Sequence, residues 1–159
     1  MSQILSERVN IRQALVPAAD RYNANPATDV FNLKLYETVA FVINKGAGAT
    51  GTAVVTIEEC DNAAGDNPVA IPFRYRQHDA GAAQGALTVA TAAGFTFAAG
   101  ADRLAIIEVE AASIDQAKSF VRMQLTEGVV DATVVAGVLA ILGKPRYVGA
   151  DGDLDPGLA

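Results

Sequence analysis

The sequence predicts an all-β fold: an antiparallel β-sandwich, with a jelly roll as the leading topology and an extended N-terminal arm. Three observations carry this. From Val30 onward apolar and polar residues alternate with a period close to two. Clusters of Gly, Asn, Asp and Pro separate most of the apolar runs. No segment offers the helix of about a dozen residues that a parallel crossover requires. An immunoglobulin-like sandwich and a closed barrel are the alternative topologies.

Residues 1–27 differ from the rest. Three arginines, Arg8, Arg12 and Arg21, stand against Glu7 and Asp20 in an otherwise acidic chain. Pro17 and Pro26 discourage regular structure, and the apolar points Ile4, Leu5, Val9, Ile11 and Leu15 follow no clean period. The segment reads as an extended arm, with room for one helical turn, whose anchors lie across its own domain or a neighbour's. A frayed terminus is the alternative.

The sandwich is expected over residues 28–147. Phe31, Leu33 and Leu35 alternate with Asn32, Lys34 and Tyr36, marking a half-buried strand. Residues 38–44 are apolar on both faces and suit an inner strand. Residues 53–59 are β-branched and end at the turn-rich stretch 61–68. Ile71, Phe73 and Tyr75 alternate with Arg74 and Arg76. Residues 87–89, 95–97 and 104–109 continue the pattern, then Val121, Met123 and Leu125, and finally residues 134–142. That makes eight or nine strands. One helical turn fits residues 113–118, with Ser113 or Asp115 as its N-cap. Residues 46–51 read as a hairpin loop, residues 80–94 as a long flexible loop and residues 148–159 as a flexible acidic tail.

Composition narrows the function. The 159 residues make one domain, and 31 alanines and 14 glycines imply a core of small and aliphatic side chains. One His and one Cys cannot form a closed zinc site, and a lone Cys forms no internal disulfide. A net charge of -6 argues against binding nucleic acid. The longest apolar run, residues 132–142, falls short of the roughly 20 residues of a membrane span, so no membrane association is expected. The first eight residues lack a basic segment followed by an apolar one, so a cytoplasmic product is expected.

Several motifs suggest chemistry and fail on context. Gly46, Gly48 and Gly51 have dinucleotide-loop spacing, but Thr52-Ala53-Val54-Val55 continues as a strand, where the pyrophosphate needs a helix N-terminus. Asp151, Asp153 and Asp155 alternate as in a calcium loop, yet Pro156 takes the place of the required Gly. His78 has Asp79 beside it but no serine in a nucleophile elbow, and Cys60 sits among Glu58, Glu59 and Asp61, which would raise its pKa. Glu108 and Glu110 share a strand face about 7 Å apart, within glycosidase range, but there is no Trp to stack a sugar. No catalytic residue, cofactor or metal is expected. Arg74 and Arg76 share a face and form a small basic strip suited to an acidic protein surface, with a solvated strand face as the plain alternative.

Several segments in order then bear a resemblance. They are Val39-Ala40-Phe41-Val42-Ile43-Asn44-Lys45-Gly46, Ala53-Val54-Val55-Thr56-Ile57-Glu58-Glu59-Cys60-Asp61-Asn62, Ile71-Pro72-Phe73-Arg74-Tyr75, Ala117-Lys118-Ser119-Phe120-Val121-Arg122-Met123-Gln124-Leu125-Thr126 and a closing stretch that ends Leu142-Gly143-Lys144-Pro145-Arg146-Tyr147. Together they resemble the jelly-roll capsid cementing (decoration) proteins of tailed bacteriophages and prophages, such as that of Bordetella phages. The sequence departs from the pattern at Glu58-Glu59-Cys60-Asp61, where relatives carry a Gln/Glu-Ser-Asp-Asp-like turn. The resemblance implies a structural virion protein, not an enzyme, which binds and stabilises the capsid shell. Its partner would be the major capsid protein, and its location the capsid surface, after assembly in the host cytoplasm. The contact residues expected are Ile4, Leu5, Arg8, Val9, Ile11, Arg12 and Leu15, with Arg74 and Arg76 second. Strands that are apolar on both faces point to a homo-oligomer, a dimer before a trimer. The alternatives are a tail or head-completion protein and a carbohydrate-binding β-sandwich.

Overall fold

The computed structural model describes residues 4–146, and the expected acidic tail lies outside them. Eleven strands follow one another: β1 (Val9–Ala19), β2 (Phe31–Asn32), β3 (Tyr36–Lys45), β4 (Ala53–Cys60), β5 (Val69–Ile71), β6 (Phe73–Asp79), β7 (Thr88–Ala90), β8 (Phe95–Phe97), β9 (Arg103–Glu110), β10 (Phe120–Glu127) and β11 (Val135–Pro145). Single 3-10 turns at Leu5–Glu7 and Ala111–Ser113 are the only helical geometry among the described residues.

The strands form two antiparallel sheets packed as a β-sandwich. Six run in the order β1-β11-β3-β9-β6-β7; the other sheet runs β2-β10-β4-β5, with β8 also paired to β4. The pairings are nested: β1 with β11, β2 with β10, β3 with β9 and β4 with β8. The chain thus runs out and back as one long ribbon whose successive pairs alternate between the sheets. At the turnaround β5 leaves the five-stranded sheet, and Pro72, which has no N–H for a ladder bond, passes the chain to the six-stranded one. The single alternation read across Ile71, Phe73 and Tyr75 therefore splits into two strands on opposite sheets.

Residues 9–19 are extended, a helical turn precedes them, and they lie along their own domain as the edge strand of the larger sheet. Two register shifts, between Gln13 and Leu15 and between Leu15 and Ala18, break the period of two and hid the strand. Residues 46–51 join β3 to β4 across the two sheets, so they form an arch and not a hairpin. The strand expected from Phe31 to Leu35 stops at Asn32, whose Oδ1 accepts the Lys34 N–H at 2.9 Å and bends the chain.

The core lies between the sheets. Val39, Phe41 and Ile43 of β3 and Ile107 and Val109 of β9 meet Val55 and Ile57 of β4 and Val121, Met123 and Leu125 of β10 in one buried cluster. Each such side chain contributes about 1.5–3 kcal/mol by leaving water. Phe31 and Phe41 meet edge to face at 5.7 Å across the sandwich. Tyr75 and Phe95 stack at 3.8 Å and tie β6 to β8.

Candidate partner-binding face

Alternation sends half of each strand in the six-stranded sheet away from the core. On β11, Ala136, Val138, Ala140 and Leu142 point inward, so Val135, Gly137, Leu139 and Ile141 point outward. Residues opposite one another on neighbouring strands share a face. The pairings Leu139↔Val42, Val42↔Ile106 and Ile106↔Arg76 therefore make one outward row across four strands. The next row runs Ile11, Ile141, Ala40, Glu108, Arg74 and Val89. β11 and β3, with Ile106 of β9, give this face an apolar patch, in which Leu139 is 42% exposed; Ile11 and Val89, 49% and 70% exposed, are apolar as well but stand on the edge strands β1 and β7.

The polar side chains are Gln13 on β1, Thr38 and Asn44 toward the ends of β3, and Glu108, Glu110, Arg74, Arg76 and His78 on β9 and β6, so the charges gather on the β9–β6 side of the face. Arg76 is held along the surface by donating from Nη1 to the Gly85 carbonyl at 2.9 Å. A groove of about 430 Å³ opens at one corner between Thr38, Ala40, Phe73, Arg74, Glu108 and Glu110. A second depression, of about 290 Å³, lies between Leu15, Pro17, Asn44, Gly137 and Leu139. It forms where β1 bulges and Gly137 has no side chain. Pro17 packs over that glycine, and a Cβ there would stand 2.6 Å from the proline ring.

The contact residues expected from the sequence fall on opposite margins of this sheet. Val9, Ile11, Arg12 and Leu15 lie on β1, with Leu15 half-buried against the core. Arg8 is exposed, and its N–H donates to the Leu5 carbonyl at 3.0 Å; Ile4 and Leu5 are 64% and 66% exposed. Arg74 and Arg76 do share the outer face of β6, but three strands separate them from β1, about 19 Å. What lies between is the apolar patch, Leu139, Val42 and Ile106, which the sequence reading did not single out. The signal was present in residues 38–44 and 134–142, apolar on both faces.

Of the other residues with chemical potential, Glu58, Glu59 and Cys60 are engaged in the structure. Glu58 pairs with Arg122 at 2.8 Å, and the buried Glu59 accepts the Asp115 N–H at 2.9 Å. Cys60 is buried, which pushes its thiol pKa up. Glu108 and Glu110 line the corner groove. His78 is half-buried, with Nδ1 making no hydrogen bond. Asp151, Asp153 and Asp155 lie outside the described residues. Among those described, no group of three or more His, Cys, Asp and Glu side chains is placed to hold a metal ion. Sequence reasoning also missed Lys45, fully buried, whose Nζ donates to the Gly51 carbonyl at 2.8 Å.

Comparison with protein-family models, curated proteins and solved structures finds no match to this chain.

Proposed function

We propose that the protein is a structural virion component that binds and stabilises a capsid shell through its N-terminal segment. The observation that carries this reading is the pair of large apolar side chains, Ile4 and Leu5, exposed ahead of an edge strand and flanked by Arg8 and Arg12 in an acidic chain. A strand at a sheet edge offers backbone groups to a partner strand, and neighbouring apolar and basic side chains add anchors and orientation. Many weak contacts of this kind, repeated over a symmetric shell, sum to firm attachment. The nested strand pairing also supports a jelly roll, because a long antiparallel ribbon wrapped on itself generates that topology.

The test is co-sedimentation of the full chain with expanded, undecorated capsids. Binding that weakens in Leu5→Asp and Arg8→Glu, and not in a loop variant such as Val130→Asp, supports the reading. Protein that remains in the supernatant across salt conditions removes its basis.

The corner groove favours a second reading, a carbohydrate-binding module, since its volume suits a small ligand and Arg74, Glu108 and Glu110 offer hydrogen bonds to hydroxyls. A saturable hit in a glycan screen, lost in Glu108→Ala, would establish it.

A further inference from the structure

We infer that the outer face of the six-stranded sheet packs against the same face of a second copy, so that the working unit is an isologous dimer. The inference stands on the surface itself and does not depend on what the N-terminal segment binds.

Extent is the first argument. Six strands span about 24 Å from first to last, and strands of 8 to 11 residues run about 27–36 Å, so the footprint is roughly 700 Å². A standard protein interface takes about 800 Å² from each partner. The anatomy also fits: a contiguous apolar patch of Leu139, Val42, Ile106 and Ile141 lies beside the polar and charged side chains of β9 and β6. The depression beside Gly137 gives room for a partner's side chain, as an anchored interface requires.

Charge then selects a second copy as the occupant. The chain carries -6, so two copies repel over most of their surface. On this face Arg74 and Arg76 balance Glu108 and Glu110, leaving no net charge where the copies meet. A two-fold axis repeats both signs on both sides, so opposite charges can face each other. Shape agrees, because two sheets with the same twist cover one another at about 30°. Edge-to-edge pairing of two copies along the whole of β1 is disfavoured by its two register shifts and by Pro17, all of which lie beyond Gln13 and leave Val9–Gln13 regular.

The test is sedimentation equilibrium of the full chain with Leu139→Arg and Val42→Glu, whose outward positions leave the core intact. Wild type is expected at twice the 16.4 kDa chain mass. Each variant should weaken dimerisation roughly 100-fold or more by placing an unpaired charge at the centre of the contact. Val130→Asp, at a loop tip, should leave it unchanged. A milder variant guards against misfolding: in Leu139→Cys the new thiol should react more slowly with maleimide as protein concentration rises. A monomer at high micromolar concentration, a trimer, a dimer indifferent to both charged variants, or a labelling rate independent of concentration would overturn the inference.

Discussion

Asp131 holds Thr50 from 81 residues away: its Oδ2 accepts the Thr50 N–H at 3.1 Å and the Thr50 hydroxyl at 2.9 Å. The same oxygen takes the Gly51 N–H at 3.2 Å, and Oδ1 takes the Thr133 N–H at 3.0 Å and its hydroxyl at 2.6 Å. One carboxylate thus joins the β3–β4 arch to the β10–β11 loop. Thr52 reinforces the junction by donating its N–H to the Val129 carbonyl at 3.2 Å and accepting the Val129 N–H on its hydroxyl at 2.9 Å.

These donors, the Thr133 hydroxyl first, hold the Asp131 carboxyl far below the usual carboxylate range. A pKa depressed by folding adds stability that is complete above the unfolded value, about 3.9, and is lost as pH falls below it toward the folded value. Asp131→Asn keeps the shape but removes the charge. Its melting temperature should lie several degrees below wild type at neutral pH, with the gap narrowing on acidification. Scanning calorimetry between about pH 7 and pH 3 checks this, and a gap that stays constant would refute it.

Beneath the junction, the buried Lys45 has its pKa lowered by desolvation, with the Asp131 carboxylate acting in the opposite direction. A lysine depressed by folding binds more protons in the unfolded chain, so its contribution makes stability rise with pH between the folded value and about 10.4. Lys45→Met should flatten that alkaline rise. Lys45→Ala also leaves a void and should be less stable than the Met variant by about 2 kcal/mol or more. Urea denaturation across this pH range measures both, and identical slopes in wild type and Lys45→Met would defeat the assignment.

What the sequence disclosed followed the range of the interactions involved. β4 was expected at residues 53–59 and found at Ala53–Cys60, because β-branched residues set its period locally. β1 was hidden because its bulges depend on β11, more than a hundred residues away. The Pro72 crossing and the β3–β4 arch depend on which sheet each strand joins, and strand periodicity carries no information about that. Lys45 reads as a surface residue in any pattern, since its burial depends on an arch and a loop brought together by Asp131. The candidate face divides similarly. Arg74 and Arg76 were legible as a pair, whereas the apolar patch emerged only once the registers of β11, β3 and β9 aligned Leu139, Val42 and Ile106.

Two glycines in left-handed conformations should respond differently to a methyl group. Gly48 has φ of 94°, and an added Cβ would lie 2.5 Å from a Val134 methyl carbon and 2.6 Å from its Cα. Gly81 has φ of 75° and nothing within 4 Å of that position. Gly81→Ala should cost about 1 kcal/mol from backbone conformation alone. Gly48→Ala carries the same penalty plus a clash worth a further 1–3 kcal/mol or so, because Val134 is buried and its backbone cannot yield cheaply. Equal unfolding free energies for the two variants would show that the arch can shift away from Val134.

Arg122 and Glu58 occupy paired positions on β10 and β4, with Nε to Oε2 at 2.8 Å and side chains only 21% and 18% exposed. Lys144 and Glu37 also pair, but at 3.7 Å with side chains 70% and 54% exposed. The first pair is directional and partly shielded from solvent; the second spends side-chain entropy in water for little return. A double-mutant cycle on Arg122→Ala and Glu58→Ala should therefore give a coupling of about 1 kcal/mol, and one on Lys144→Ala and Glu37→Ala about 0–0.5 kcal/mol. Raising the salt to about 1 M shortens the screening length to about 3 Å, which should erase the second coupling and leave much of the first. Equal couplings with equal salt dependence would mean that burial at the β4–β10 seam does not shield the ion pair.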